Sequence, residues 1–122
     1  MSNLIESFEI KLSFSTLFIK IVNCGNDCSV SFFGGDKAHI GCAVLAIPQE
    51  SLLENGEVSC TISTLNVTGH KDDEIARLIA KKICTARNCI VSCSGGFHKD
   101  KITKEEILEL MEAVSKWELP VL

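Results

Sequence analysis

Proline, long apolar runs and clustered positive charge are all scarce in this sequence. Only two of the 122 residues are proline, one of them near the C-terminal end at Pro120. No Pro/Gly/Ser-rich linker, composition shift or internal repeat divides the chain, so residues 1–122 are expected to form a single domain. No segment approaches the roughly 18 consecutive apolar residues of a membrane-spanning helix, so no membrane association is expected. Lys and Arg number 12 against 16 Asp and Glu, for a net charge of −4. A nucleic-acid surface needs several cations per site, and no basic cluster occurs, so nucleic acid is not an expected partner. The stretch Met1-Ser2-Asn3-Leu4-Ile5-Glu6 lacks the basic and apolar regions of a secretory signal. A cytoplasmic location is therefore expected. There the seven cysteines, an odd number too sparse for a disulfide scaffold, would stay reduced.

What is present is material for a core. Hydrophobic residues make up 46% and charged ones 23%, which excludes a disordered chain. Phe8, Ile10, Leu12 and Phe14 alternate with polar residues, the period of a half-buried strand. Leu17–Val22 is more apolar and suits a buried strand. Cys24-Gly25-Asn26-Asp27-Cys28 is turn chemistry, so a hairpin to a strand at Val30–Phe33 is expected. Ile40–Ile47 is an apolar run of strand length stopped by Pro48, and the segment from Pro48 to Gly56 reads as a loop. Val58, Cys60 and Ile62 alternate in a fifth strand that runs to about Val67.

The period then changes. Ile75, Leu78, Ile79 and Ile83 fall at helical spacing behind Asp72, Asp73 and Glu74, which suit the positive end of a helix dipole. Cys89–Cys93 reads as a short strand. Thr103-Lys104-Glu105-Glu106 is a capping box, opening a helix whose inner stripe is Ile107, Leu110, Met111, Val114 and Trp117. The order β-β-β-β-β-α-β-α implies an α+β fold: a mostly antiparallel sheet of about six strands with two main helices on one face. The apolar character of both faces of Ile40–Ile47 points to a second subunit covering part of the other face.

All three histidines lie in stretches that also carry glycine, lysine and aspartate. These are Gly34-Gly35-Asp36-Lys37-Ala38-His39, Gly69-His70-Lys71-Asp72 and Gly95-Gly96-Phe97-His98-Lys99-Asp100. Read as loops, they suit an anion site. Glycine admits close backbone approach, two stretches lead into helix N-termini, lysine adds charge, and histidine adds a directional donor. Ordinary polar turns are the plainer reading of the same residues. Convergence of the histidines and aspartates on a metal ion is another, though no pair has the i, i+4 spacing of a helical zinc motif. Cys24/Cys28 and Cys89/Cys93 are spaced C-x3-C, which is neither a zinc knuckle nor a thioredoxin motif. Cys42, Cys60 and Cys84 read as small core residues. No nucleophile sits in a recognised elbow, so nothing argues for an enzyme.

Three segments carry a resemblance. They are Gly35-Asp36-Lys37-Ala38-His39-Ile40-Gly41, Gly69-His70-Lys71-Asp72-Asp73-Glu74-Ile75-Ala76, and Gly96-Phe97-His98-Lys99-Asp100-Lys101-Ile102-Thr103 with Glu105-Glu106-Ile107. In this order the chain resembles a family of small proteins associated with UbiD-type decarboxylases, such as the small subunit accompanying gallate decarboxylase. The third segment departs from the family pattern in its extra lysines. The resemblance implies a non-catalytic chaperone that binds reduced prenylated FMN and delivers it to an apo UbiD-type decarboxylase. It also implies a homodimeric fold similar to proteasome assembly chaperones. On this reading the cofactor residues are Gly34, Gly35, Asp36, Lys37, His39, Gly69, His70, Lys71, Gly95, Gly96 and His98. Lys37 and Lys71 would meet the phosphate, and His39, His70 and His98 would donate hydrogen bonds. The alternatives are an assembly chaperone without cofactor, or a metal-binding accessory subunit of a decarboxylase.

Overall fold

The computed structural model describes residues 4–50, 58–67 and 72–120. In chain order the elements are β1 (Ile5–Lys11), β2 (Thr16–Cys24), β3 (Asp27–Gly35), β4 (Cys42–Glu50), β5 (Val58–Asn66), α1 (Asp73–Arg87), β6 (Val91–His98) and α2 (Lys104–Lys116). They form the expected α+β arrangement in the expected order. The strands make one sheet ordered β1-β2-β3-β6-β4-β5. Every pairing is antiparallel except that of β3 with β6.

Register sorts the side chains into two faces. Ile19 of β2 stands between Phe8 of β1 and Phe32 of β3. Across the next pairs Val30 meets Cys93, and Cys93 meets Val44. Leu17, Ile19, Ile21, Val30, Phe32, Val44, Ala46, Val91 and Cys93 are all buried on this face. The helices cover it. α1 presents Ile75, Ala76, Ile79, Ala80, Ile83 and Cys84 at helical spacing and lies against β4, β5 and β6. α2 buries Leu110 and Val114 and touches α1. At its end Trp117 meets Phe8 edge to face at 5.3 Å. The opposite face carries no element among the described residues. Phe18 and Phe33 stack there at 5.3 Å, and Phe33, Leu45, Ile47 and Leu65 are exposed.

Local chemistry explains most boundaries. Thr103 opens α2 with both bonds of the capping box in place. Asn88 ends α1 in the left-handed conformation that asparagine tolerates. Three sequence expectations need correction. β1 ends at Lys11, because Leu12–Ser15 is a turn closed by the Leu12 N–H to Ser15 carbonyl bond. That turn is held to α2 by Ser13, whose N–H and hydroxyl both donate to Glu109. Pro48 does not stop β4. Pairing to β6 ends at Ala46, so Pro48 lies where the strand has β5 alone as neighbour and a missing donor costs little. Third, β6 runs on to His98 instead of ending at Cys93. The loop expected over Ser51–Gly56 lies outside the described residues. No helix among the described residues is long and apolar enough to cross a membrane.

A buried ion pair braces the end of the sheet far from β6's C-terminus. Arg87 donates from both terminal nitrogens to the Glu6 carboxylate at 2.9 and 2.8 Å. Asn23 also donates to Glu6 at 2.9 Å. The Arg87 bonds chiefly, with a smaller contribution from Asn23, hold the Glu6 carboxyl below its ordinary range against the opposing effect of burial. Nothing in the sequence pattern marked these partners.

Candidate functional site

Two of the three glycine- and histidine-bearing stretches meet, but as strand ends and a connecting loop instead of two loops. Gly34 and Gly35 are the last residues of β3 and pair with Phe97 and His98 of β6. Gly35 has φ +83°, and a Cβ there would run into the His98 carbonyl. The chain leaves β3 by donating the Asp36 N–H to that same carbonyl at 2.6 Å. Asp36 also accepts from the Asp100 N–H at 3.1 Å. From there the β3–β4 loop carries the exposed Lys37 and then His39 onto the uncovered face of the sheet.

His39 settles over Gly96. A Cβ on Gly96 would stand 2.6 Å from His39 Nε2, so the ring occupies the space a side chain would take. The imidazole is gripped at one nitrogen by Asp72 Oδ2, 3.0 Å from Nε2. A carboxylate only accepts, so the bond requires the hydrogen on Nε2. Nδ1 faces the Lys37 carbonyl at 3.3 Å. The His98 ring meets His39 edge to face at 6.1 Å, and its own Nε2 lies 2.9 Å from Asp100.

Asp72 does more than its position at a helix start implies. It is the N-cap of α1, as a dipole partner would be, but its side chain makes no cap bond. It is 5% exposed and turns away from its helix. Oδ1 accepts the Phe97 N–H at 2.8 Å while Oδ2 takes His39. Phe97 lies beyond Cys42↔Gly95, where pairing between β4 and β6 stops, so its N–H would otherwise be buried without a partner. Gly41 leaves room for this, because a Cβ there would collide with the Asp72 carboxylate. The available signal was position: Asp72 is the last residue of the Gly69-His70-Lys71-Asp72 stretch.

Among the described residues, three hollows adjoin this cluster. A shelf of about 300 Å³ is bounded by Lys37, His39, Ile40 and His98. A second, of about 320 Å³, lies between Ala38–Ile40 and the uncovered face at Phe33 and Ser94. The third, of about 370 Å³, is a cleft between the end of β6, the start of α1 and the inner side of α2. Its walls are mostly apolar, including Phe97, Ile102, Leu110 and Met111, with Asp72, Glu74, His98 and Lys99 contributing the polar groups. An apolar hollow with a few convergent polar groups is the usual form of a small-molecule site.

The remaining sequence candidates divide cleanly. Gly95 is pressed against the Phe32 carbonyl, so its lack of a side chain serves strand packing. Gly69, His70 and Lys71 lie outside the described residues. Among the described residues no group of three or more His, Cys, Asp or Glu is arranged to hold a metal ion. All seven cysteines are free. Burial, aided by the charges of Asp72 and Asp73, pushes the Cys42 thiol up to about 11. Burial lifts Cys84 to about 11 and Cys89 to about 12, and Cys93 is pushed up further. Thiols held protonated in this way are poor nucleophiles at neutral pH.

No curated protein sequence matches the chain. Among solved structures, a chain of a novel chaperone complex for yeast 20S proteasome assembly is similar at a TM-score of 0.43. It is 9% identical, with 93% of this chain and 99% of that chain covered. The family described as the prenylated flavin chaperone LpdD-like domain matches residues 13–118, nearly the whole length over which the sheet, both helices and the His39–Asp72–His98 cluster are built. This chain belongs to the LpdD-like prenylated flavin chaperone family.

Proposed function

We propose that the chain binds reduced prenylated FMN at the junction of β3 and β6 and hands it to an apo UbiD-type aromatic acid decarboxylase. It does no chemistry of its own. The observation that supports this most is the meeting of Lys37, His39 and His98 on one shelf, beside an apolar cleft, in a member of this flavin chaperone family. The residues fit such a ligand. Lys37 makes no ion pair among the described residues, so its charge is available to a phosphate. His98 offers a directional hydrogen bond through its second ring nitrogen, and His39, held by Asp72 and the Lys37 carbonyl, presents its ring to the shelf. The four glycines Gly34, Gly35, Gly95 and Gly96, with Asp36, fix the strand ends that hold those side chains. Gly69, His70 and Lys71 are assigned to the same ligand on the sequence resemblance alone.

The working form is a cytoplasmic homodimer. The uncovered sheet face exposes Phe33, Leu45, Ile47 and Leu65, apolar side chains that a second copy would take out of water. Ile40, 67% exposed at the shelf, extends that set. A second copy seated there would border the ligand shelf.

Anaerobic titration of the purified protein with reduced prenylated FMN tests the reading. Saturable binding, weakened in the Lys37→Ala and His98→Ala variants, is the expected result. No binding, together with a protein partner that co-purifies, would favour an assembly chaperone that carries no cofactor. Sedimentation of Leu65→Lys tests the dimer, with dissociation expected.

A further inference from the structure

The two ends of the candidate site differ in chemistry, and His98 stands on the boundary because it borders both the shelf and the cleft. On the shelf side the cation is Lys37, with no carboxylate paired to it among the described residues. On the cleft side the charges run the other way. Asp72 and Glu74 line it, and the one cation, Lys99, is already spent on Glu106 at 3.0 Å and on the face of the Phe14 ring. An anionic group is therefore repelled from the cleft and drawn to the shelf. What the cleft offers is apolar surface from Phe97, Ile102, Ile107, Leu110 and Met111. Ile107 is 43% exposed at its rim, an apolar side chain left facing solvent by the inner stripe of α2.

From this polarity we infer that the cleft between α2 and β6 is a specificity pocket for the prenyl-bearing ring of the flavin, while the phosphate stays on the Lys37 shelf. Ile107 and Met111 then decide between prenylated and plain flavin. The inference rests on the binding reading above and adds to it which residues discriminate. The ring's polar edge meets Glu74, which accepts hydrogen bonds, and its apolar addition packs on α2. Each methylene buried against such a wall strengthens binding by about fourfold, so partial burial of a prenyl group gives a preference on the order of 50-fold.

The test compares reduced prenylated FMN with reduced FMN in anaerobic fluorescence titrations of the full chain. Wild type should favour the prenylated form by on the order of 50-fold. Ile107→Gln, a change at an exposed position that folding tolerates, and Met111→Gln should each shrink that ratio at least several-fold. Both should weaken reduced FMN far less than they weaken the prenylated form. Lys37→Ala should weaken both flavins alike and preserve the ratio. Equal affinities in wild type, or a ratio unmoved by both α2 variants, overturns the pocket assignment while leaving flavin binding intact. Failure of wild type to bind either flavin overturns the binding reading and the pocket with it.

Discussion

Replacing Glu6 by Gln isolates the buried ion pair that ties β1 to the end of α1. In the native chain Arg87 gives two short bonds to Glu6, and the two side chains are only 11% and 8% exposed. Arg87 Nε is buried and has no hydrogen-bond partner among the described residues, so Glu6 is the main compensation the guanidinium has there. Gln removes the charge and can accept through one oxygen only. The guanidinium is then left with an uncompensated charge out of water, which costs about 3–5 kcal/mol when a buried pair is broken. Gln keeps one acceptor, so about 3 kcal/mol is expected. For a chain of this length that lowers Tm by roughly 10–12 °C, since unfolding entropy scales with residue number. Urea titration followed by circular dichroism is the assay. The pH dependence provides a second readout. The Glu6 carboxyl is held below its ordinary value in the folded state. Its contribution is therefore fully present above the unfolded-state value near pH 4.5 and is lost as pH falls through the folded one. The gap between wild type and Glu6→Gln should be constant from pH 6 to 8 and narrow in acid. A double change, Glu6→Leu with Arg87→Met, should recover most of the loss by exchanging charge burial for apolar packing. A Glu6→Gln variant within about 1 kcal/mol of wild type, or a double variant as unstable as the sum of its parts, would refute the reasoning.

Three further outcomes follow from the site and the helices. Asp72→Ala leaves the Phe97 N–H buried without an acceptor and releases His39. A loss of about 2 kcal/mol in chemical denaturation, with altered ring-nitrogen NMR shifts for His39, is expected, whereas Asp72→Asn keeps the Phe97 bond and loses less. Gly96→Ala puts a methyl group where the His39 ring lies, so ligand affinity should fall more than stability does, as judged by titration beside a thermal melt. Thr103→Ala removes the α2 capping box and should cost about 1 kcal/mol of stability, read by denaturation.

Where local chemistry and tertiary demand agreed, the sequence was transparent. Period-two alternation marked β1 and β5, an apolar run marked β2, helical spacing marked α1, and Thr103 with Glu106 marked the start of α2 to the residue. The errors came from residues whose chemistry has two uses. Gly95 and Gly96 resembled a loop because glycine usually serves turns. Here one admits the Phe32 carbonyl and the other the His39 ring, both contacts distant in sequence. Pro48 resembled a stop because nothing local shows that β4 outruns β6. Asp72 at a helix start has an adequate local explanation in the dipole, which hid its bonds to Phe97 and His39. The ion pair of Glu6 with Arg87 spans 81 positions, and no periodicity encodes a partner at that range.

The insertion of β6 between β3 and β4 has a consequence for the order in which the chain can become functional. β1 through β3 and β4 with β5 are hairpin-linked and can pair as soon as they are made. The seam between these halves stays open until the strand that follows α1 arrives, and its parallel pairing to β3 closes a long loop, a slow kind of contact to form. Phe97 and His98, and the glycine on which His39 rests, all lie at the far end of that strand. A nascent or truncated chain therefore lacks the β3–β6 junction, and the meeting of His39 with His98 reports on completed folding: the last β-strand to enter the sheet is also the one that builds that junction.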